Sequence, residues 1–281
     1  MMKEEMYLSC LPETLIELLT PEDEETLEQL KQLLGDLPTD YSLEGKDGRV
    51  VTAVLKQSDL PRIRSQLWSY MAWILGRGHQ LNLTALTDAT NMYERHILDS
   101  LSLLPLIHNA LREQKGVLVD VGTGAGLPGL ILAIAKPTLQ VVLNDSLNKR
   151  LKFINEVVAE LGLTNALTVH ARAEDLGKDE DHREQADIVV ARAVAGLPVL
   201  AEYCLPLVKN GGFWLAPKTL NEDPASMHKA LQLLGGGVPD IWLPQSSIEG
   251  QTDHCVFSVV KEHKTPTRYP RKAGTPLKKP L

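Results

Sequence analysis

The sequence predicts an α/β protein with a mostly parallel sheet that is covered by helices on both faces. Two observations lead to this prediction. Short apolar runs alternate with longer amphipathic runs from residue 117 to residue 260, as in strand–helix–strand units with right-handed crossovers. A glycine-rich turn at residues 122–126 connects the first of these strands to a helix. Because ligands of such sheets bind beyond the carboxyl ends of the strands, the residues after each strand are the candidate site.

The hydrophobic pattern assigns the individual elements. Strands are predicted at residues 117–121, 140–144, 166–170, 186–191, 211–216 and 254–260. Helices are predicted at residues 12–19, 22–34, 61–75, 127–135, 147–161 and 197–208. Gly76 and Gly78 are predicted to end the third of these helices. Residues 35–50 contain three glycines and a proline and are predicted to form a loop.

The turn after the first strand fits two classes of nucleotide cofactor. Gly124, Gly126 and Gly129 satisfy the G-x-G-x-x-G pattern of dinucleotide-binding turns. Asp120 and the glycines at 122, 124 and 126 satisfy the D-x-G-x-G-x-G pattern of methyltransferases that use S-adenosylmethionine (AdoMet). Asp120 favours AdoMet, because a carboxylate beside the turn would repel a pyrophosphate but would attract the cationic methionine end of AdoMet.

Three later strands are followed by residues that suit an adenosine or a methyl acceptor. Asp145 follows the second strand, where its carboxylate can accept both ribose hydroxyls or cap the next helix. Ala173, Glu174 and Asp175 follow the third strand, where they can reach the adenine edge or cap a helix. Arg192 follows the fourth strand and is assigned to the carboxylate of the cofactor or to an RNA phosphate.

The residues around Arg192 also limit the methyl acceptor. The stretch 191–194 lacks the Asn/Asp-Pro-Pro-aromatic sequence of enzymes that methylate exocyclic amines. The sequence there also lacks a Pro-Cys pair for attack on a pyrimidine ring. These absences favour an acceptor that is already nucleophilic, such as guanine N7, whose free lone pair needs no general base. Catalysis then depends on alignment and on the placement of charge.

The composition predicts a cytoplasmic protein without a metal site. Hydrophobic residues make up 43% of the 281 residues, but no apolar run approaches the about 18 residues that span a membrane. The three cysteines lie far apart and form no zinc or disulfide pattern. The acidic start, with Glu4 and Glu5, does not resemble a signal peptide.

Charge is distributed unevenly along the chain, whose net charge is −7. Residues 1–36 carry ten acidic and two basic residues, whereas residues 261–281 carry seven basic residues and one acidic residue. The basic segment is either a solvated tail or an arm that binds phosphates.

Several motifs together resemble the glucose-inhibited division protein B family of 16S ribosomal RNA (guanine-N7)-methyltransferases, over about residues 60–281. They are N-L-T from Asn82, R-H-I-L-D-S from Arg95, D-V-G-T-G-A-G-L-P-G from Asp120, D-S-L-N-K-R from Asp145, A-R-A from Ala191 and Y-P-R-K-A-G-T-P from Tyr269. The resemblance implies a Rossmann-like AdoMet-dependent methyltransferase fold, with a mostly parallel seven-stranded sheet and a helical N-terminal cap. It also implies that AdoMet is the methyl donor, that guanine 527 of 16S rRNA is the acceptor, and that the basic tail contacts RNA.

The same resemblance implies two groups of site residues. Cofactor contacts are expected at Gly122, Leu127, Asp145, Ser146, Leu147, Ala173, Glu174 and Arg192. The catalytic residues that receive the base are expected to be Asn82, Arg95, His96 and Lys218, and the same cleft is expected to include Asp99 and Arg150.

We therefore expect an acidic N-terminal extension (1–59), a helical cap (60–112), an AdoMet-dependent methyltransferase domain (113–260) and a basic C-terminal tail (261–281). The expected partner is 16S rRNA or the small ribosomal subunit, with neither a membrane nor a metal. Two alternatives remain open at this point. One is a methyltransferase of the same fold that acts on a small molecule or a protein, and the other is a non-catalytic RNA-binding factor. A nicotinamide-dependent dehydrogenase ranks last, because Asp120 and the missing substrate domain count against it.

Overall fold

The sheet is the central element of the structure. The computed structural model describes residues 8, 10–81, 83–112, 114–245 and 254–281. In these residues, nine strands form one mixed sheet in the order β2-β1-β8-β9-β7-β6-β3-β4-β5. The strands, numbered along the chain, are β1 (Asp40–Gly45), β2 (Val50–Val54), β3 (Gly116–Val121), β4 (Leu139–Asp145), β5 (Ala166–His170), β6 (Ala186–Val190), β7 (Val208–Thr219), β8 (Asp240–Pro244) and β9 (His254–Val260).

Helices cover both faces of this sheet. They are α1 (Glu13–Ile16), α2 (Pro21–Gly35), α3 (Leu60–Leu81), α4 (Ala89–Asn91), α5 (Asp99–Leu101), α6 (Leu104–Leu111), α7 (Gly129–Ala135), α8 (Asn148–Glu160), α9 (Ala173–Leu176), α10 (Leu197–Cys204), α11 (His228–Leu234) and α12 (Thr275–Lys278). A π-helical segment, Met92–Leu98, joins α4 to α5, and 3₁₀ turns lie at Gln57–Asp59 and Pro224–Met227. Within the described residues, none of the helices has the length and apolar character needed to cross a membrane.

Five neighbouring strands at one end of the sheet are parallel. Strand β3 pairs in parallel with β4 and β6, and these pair in parallel with β5 and β7. Side chains alternate between the two faces of β3, so Leu118 joins the core under α3, α7 and α8, and Val119 joins the core under α10 and α11. Both faces of β3 are therefore buried, which explains its nearly continuous apolar sequence.

The predicted fold class is confirmed, but the sheet has two strands more than the predicted seven. The predicted loop at residues 35–50 is wrong, because this region contains β1 and the start of β2. Tyr41 and Leu43 alternate with polar residues along β1 and are 4% and 0% exposed. This short alternation of buried and exposed residues is typical of a strand, although glycines lie on both sides of it. Strand β8 was not predicted, and it joins β1 to β9 in antiparallel pairing.

Helix α3 continues through the two glycines that were predicted to end it. Gly76 lies against α1, where an added Cβ would be 2.8 Å from a methyl carbon of Leu15. Because Gly76 has no side chain, α1 and α3 can pack closely there. Tertiary contacts of this kind stabilise the last turn of α3. Its hydrogen bonds therefore persist where the glycine pattern predicted an end.

Two of the expected segments pack directly onto the central structure. Strands β1 and β2 belong to the main sheet although they lie in the expected N-terminal extension. At the start of the expected basic tail, the Lys261 side chain is 1% exposed and donates hydrogen bonds to the Leu205 carbonyl and to Thr265 Oγ1. Residues of both expected segments thus contribute to the packing of the domain.

Candidate functional site

A cavity of about 350 Å³ lies at the carboxyl ends of β3, β4 and β5. We call it the first cavity. Its lining residues are Val121, Gly122, Asn144, Asp145, Ser146, Arg150, Ala171, Arg172, Ala173, Glu174, Ala193, Val194, Ala195, Tyr203 and Leu277. The position agrees with the rule that ligands of parallel sheets bind beyond the carboxyl ends of the strands.

The glycine turn forms one wall of the first cavity with exposed backbone. Gly122 and Gly124 have φ angles of +70° and +63°, which side chains rarely permit. A Cβ at Gly122 would lie 2.7 Å from a methyl carbon of Val194, so that position also needs the small residue. The turn is supported from α3, because the hydroxyl of Tyr70 donates a hydrogen bond of 2.8 Å to the Ala125 carbonyl.

Asp120 supports the turn from inside the protein. Its Oδ2 accepts hydrogen bonds from Thr123 Oγ1 at 2.6 Å and from the Gly129 amide at 2.9 Å. Asp120 is fully buried, and burial raises the pKa of its carboxyl to about 6. The expectation that this carboxylate faces the methionine end of the cofactor is therefore wrong: it instead fixes the turn to the start of α7.

Asp145 closes β4 and lies in the first cavity. Its Oδ1 accepts a hydrogen bond of 2.8 Å from the Leu147 amide, and its Oδ2 accepts one of 3.0 Å from the Gly124 amide. Arg150 Nη1 lies 3.3 Å from the same Oδ2. The side chain is 3% exposed, so these contacts hold the carboxylate at the cavity wall with lone pairs left for ligand hydroxyls.

Glu174, which also lines the first cavity, is held in place as well. Its Oε1 accepts a hydrogen bond of 2.7 Å from the Gly274 amide, although the residue is only 4% exposed. The neighbouring Tyr203 has its pKa raised to about 12, first by burial and then by the negative charge of Glu174. The hydroxyl of Tyr203 therefore stays protonated beside the carboxylate.

A second cavity, of about 250 Å³, adjoins the first and shares Ala193 with it. Its lining residues are Asp99, Arg192, Ala193, Pro217, Lys218, Thr219, Glu222 and His254. Ala193 has a left-handed φ of +55°, a strained conformation for a residue with a side chain, and such strain is concentrated at functional sites.

Two ion pairs define the polarity of the second cavity. Arg192 Nη1 lies 2.7 Å from Asp99 Oδ2, and Lys218 Nζ lies 2.9 Å from Glu222 Oε1. His254 Nδ1 lies 3.4 Å from the other oxygen of Asp99. Burial alone would raise the pKa of Asp99, but the hydrogen bond from His254 and the charge of Arg192 lower it. The Asp99 carboxylate is therefore ionised at neutral pH.

His96 lies in the π-helical segment and is not among the residues that line the second cavity. It is 6% exposed, and its Nε2 lies 3.0 Å from Thr84 Oγ1. Burial, followed by the charge of Arg192, lowers the pKa of His96 to about 4. The imidazole is therefore neutral at physiological pH and is not a source of positive charge.

The structure brings together part of each predicted group. Within the described residues, the first cavity is lined by the expected contacts Gly122, Asp145, Ser146, Ala173 and Glu174, and the second by Arg192 and Lys218. Neither cavity lining includes Leu127, Leu147, Arg95 or His96, and Asn82 lies outside the described residues. Leu127 is buried below the turn, Leu147 is exposed and contacts Asp145 through its amide, and Arg95 is exposed.

Some residues that line the two cavities were not predicted from the sequence. Tyr203 and Leu277 come from α10 and α12, which are distant in sequence from the glycine turn. Glu222 follows Lys218 by four residues, and His254 begins β9, but neither position has a local pattern that predicts a site. No group of three or more His, Cys, Asp or Glu in the described part of the chain is arranged to hold a metal ion.

The donor and acceptor pattern of the first cavity fits an adenosine-containing cofactor. Exposed glycine backbone, a carboxylate at the end of the second parallel strand and an apolar wall match a methionine group, a ribose and an adenine. Gly122 lines the cavity, and the Gly124 amide donates to Asp145 at the cavity wall.

The fold and the first cavity together define an α/β methyltransferase. One solved structure with a similar fold is the CurJ carbon methyltransferase, with a TM-score of 0.50 and 13% identity, over 87% of this chain and 82% of that one. The family described as rRNA small subunit methyltransferase G matches residues 63–239. This chain belongs to that family, known as GidB, so the resemblance inferred from the motifs is confirmed.

Two relatives show how much of the chain the family covers. A protein of Alkaliphilus metalliredigens (strain QYMF), named ribosomal RNA small subunit methyltransferase G, is 46% identical over 221 residues, which are 77% of this chain and 90% of the relative. A protein of Acetivibrio thermocellus with the same name is 48% identical over 206 residues, which are 72% of this chain and 82% of the relative.

Proposed function

We propose that this chain transfers a methyl group from AdoMet to N7 of a guanine, position 527, in 16S rRNA of the small subunit. Membership of the family supports the reaction class and the RNA. The observation that carries the proposal is the pair of adjoining cavities, one lined by Asp145 and Glu174 and the other by Arg192 and Lys218, which meet at Ala193. A donor and an acceptor can thus be bound side by side.

The first cavity would hold AdoMet, which supplies an activated methyl group when it is bound. The Gly122 and Gly124 backbone would contact the methionine group, and Asp145 would accept hydrogen bonds from the ribose. Ser146, Ala173 and Glu174 would border the adenine. Leu127 and Leu147 would contribute through the backbone and the position of the turn, because their side chains are not among the lining residues.

The second cavity would orient the guanine. Guanine N7 attacks without losing a proton, so the protein needs no general base, and alignment is its main contribution. Methylation at N7 places a positive charge on the base, and the carboxylates of Asp99 and Glu222, which line the second cavity, would stabilise that charge. Lys218 would bind the O6 oxygen or a phosphate, and Arg192 would bind a phosphate.

The remaining predicted residues have supporting positions in this proposal. The exposed Arg95 would contact the RNA backbone, and the neutral His96 would hold Thr84 and the wall of the cleft. Asn82 is retained as a catalytic candidate on the strength of the motif alone. We also propose a cytoplasmic location, since the small subunit is the substrate.

The test combines two substrates with one readout. Purified protein is incubated with isotopically labelled AdoMet and either naked 16S rRNA or small subunits from cells that lack the gene, and the RNA is digested and analysed by mass spectrometry. We expect N7-methylguanosine at position 527, and RNA with adenine at that position serves as the matched control. Label in protein or small molecules, with none in RNA, would contradict the proposal and favour the alternative substrates.

If none of the substrates becomes labelled, a second measurement is needed. This is a calorimetric titration of the protein with S-adenosylhomocysteine. Absence of binding would favour the non-catalytic RNA-binding factor. Binding without methyl transfer to naked RNA, followed by transfer to small subunits, would identify the assembled particle as the substrate.

A further inference from the structure

The C-terminal segment, residues 269–281, borders the first cavity and is fixed to the domain by a buried ion pair. Arg271 donates from its amide to Glu202 Oε1 at 2.7 Å and from Nη2 to Glu202 Oε2 at 2.6 Å. Glu202 lies on α10 and is 0% exposed. A buried carboxylate that receives several charge-assisted hydrogen bonds is held in one position. The segment is therefore part of the domain and not a free arm.

A second attachment connects this segment directly to the lining of the first cavity. The Gly274 amide donates a hydrogen bond of 2.7 Å to Glu174 Oε1, and both Glu174 and Tyr203 line the cavity. Tyr203 follows Glu202 on α10, so the ion pair and the cavity wall share one helix. The two attachments fix the start of α12 at the edge of the cavity.

Leu277 on α12 has an unusual environment. It lines the first cavity, yet it is 63% exposed, whereas the neighbouring Pro276 is buried. An exposed leucine at the mouth of a cavity leaves apolar surface in water that a bound ligand could cover. The polar residues Asp145 and Ser146 are on the β4 side of the cavity, so Leu277 and Tyr203 supply apolar surface near Glu174.

We propose that Leu277 is a cofactor-binding residue whose side chain covers one face of the adenine, and that Arg271 and Gly274 are the positioning residues that hold it there. The proposal rests on the proposed function of the first cavity as the AdoMet site. It assigns to the C-terminal segment a role in binding an adenine nucleoside, in addition to the RNA contact that its charge suggested.

The test measures ligand affinity without turnover. The dissociation constants of S-adenosylhomocysteine and of 5′-methylthioadenosine are determined by calorimetry for the wild type and for Leu277→Ala. Because both probes contain the adenine, we expect both to bind about fivefold more weakly to the variant, in keeping with partial loss of an apolar contact. The melting temperature of the ligand-free variant should match that of the wild type, since Leu277 is mostly exposed.

The matched control is Val238→Ala, which truncates an apolar side chain that is 87% exposed and lies outside the first cavity. It should leave both affinities unchanged. Unchanged affinities in Leu277→Ala, or a loss for S-adenosylhomocysteine without a loss for 5′-methylthioadenosine, would overturn the assignment of Leu277 to the adenine. If the wild type binds neither probe, the proposed AdoMet site itself is wrong and the role of Leu277 falls with it.

A second variant tests the positioning residues. Arg271→Lys keeps the charge beside Glu202 but loses the paired guanidinium contacts. We expect a smaller loss of affinity for both probes, about twofold, and no added loss when it is combined with Leu277→Ala. Additive losses in the double variant would show that Arg271 acts by another route and would overturn its positioning role.

Discussion

The two cavities at the carboxyl edge of the sheet hold their polar side chains in different ways. In the first cavity, the carboxylates of Asp145 and Glu174 accept hydrogen bonds from backbone amides. In the second, Arg192 and Lys218 are each paired with the carboxylate of another side chain, and each also donates to one backbone carbonyl. Backbone donors stay in place when a ligand binds, whereas side-chain ion pairs can exchange partners.

This difference indicates that the first cavity determines the affinity for the cofactor and that the second determines the rate of RNA methylation. The first cavity is organised before the cofactor binds, so little ordering free energy is needed there. The second cavity is neutralised internally, so RNA groups must replace protein partners when they enter. Substitutions in the first cavity should therefore weaken cofactor binding, and substitutions in the second should reduce RNA methylation while cofactor affinity is retained.

The largest expected effect is in the first cavity. Asp145→Asn removes the charge that would bind the ribose hydroxyls, and we expect the dissociation constant of S-adenosylhomocysteine to rise about 100-fold. Calorimetry measures this change. Asp175→Asn, an exposed aspartate on α9, is the matched control and should bind as the wild type does. Normal affinity in Asp145→Asn would remove the main support for the cofactor assignment.

The second prediction concerns the ion pair of the second cavity. Lys218→Met removes the cation that would bind the guanine or its phosphate, and we expect kcat/KM for RNA to fall about 30-fold. Affinity for S-adenosylhomocysteine should stay within twofold of the wild-type value. Lys229→Met, which changes an exposed lysine on α11, provides the control. A parallel loss of cofactor affinity would show that the two cavities are not separate in function.

Arg192 provides the sharpest comparison, because the motif assigns it to the cofactor and the structure places it in the second cavity. Arg192→Lys keeps the charge but loses the geometry of the guanidinium group. We expect about a tenfold fall in kcat/KM for RNA with little change in the affinity for S-adenosylhomocysteine. Steady-state kinetics and calorimetry on the same preparation measure the two effects. The opposite pattern would return Arg192 to the first cavity.

Stability should depend on pH through a group behind the first cavity. The pKa of Asp120 is raised to about 6 by burial, so the folded state favours the protonated carboxyl more than the unfolded state does. This contribution is fully present below the unfolded pKa near 4 and is lost as the pH rises through 6. From pH 4 to pH 7, the wild type should lose about 1–3 kcal/mol of unfolding free energy relative to Asp120→Asn.

The contribution of His96 to the pH dependence of stability should have the opposite sign. Its pKa is lowered to about 4, so its contribution is present above the unfolded pKa and is lost as the pH falls from about 6.5 to 4. Denaturant titrations of Asp120→Asn and His96→Gln across this range separate the two contributions. Equal pH dependence in the wild type and both variants would show that neither group has a shifted pKa.

The smallest effect is expected from charges on the C-terminal segment. Lys278 and Lys279 are exposed, whereas Lys261 and Arg271 are held in internal contacts. Replacing Lys278 and Lys279 by Ala should weaken RNA binding about two- to threefold at low salt, and the effect should disappear as the salt concentration rises. Filter binding at several salt concentrations tests this. A large effect that persists at high salt would indicate a specific contact.

The parallel half of the sheet could be predicted well because each of its strands has a local signal. The predicted strand at residues 166–170 has the bounds that the structure shows, and the strand before the glycine turn differs by one residue. Both faces of the central strands are buried, so their apolar runs stand out from the amphipathic helices. The antiparallel edge has weaker alternation, and β1, β2 and β8 were not predicted.

The candidate site divides in a similar way. Gly122, Asp145 and Glu174 follow strands of the parallel half, so their place at the first cavity could be inferred from sequence order. Glu222 and Leu277 lie on segments that reach the cavities only through tertiary contacts. The inward turn of Asp120 also has no sequence signal, because the direction of its carboxylate depends on Thr123 and on the Gly129 amide.

The sequence by itself determined the strands of the parallel half of the sheet, the glycine turn and the motifs of the family, because these depend on local periodicity and on residues that are close in the chain. Tertiary structure decided which groups face each cavity, since that depends on packing between distant segments. Asp120 turns into the core, Arg192 pairs with Asp99, and Leu277 lines the first cavity from a segment that also forms the Arg271–Glu202 ion pair. Burial and partner choice are properties of the folded chain, so they lie beyond any local pattern.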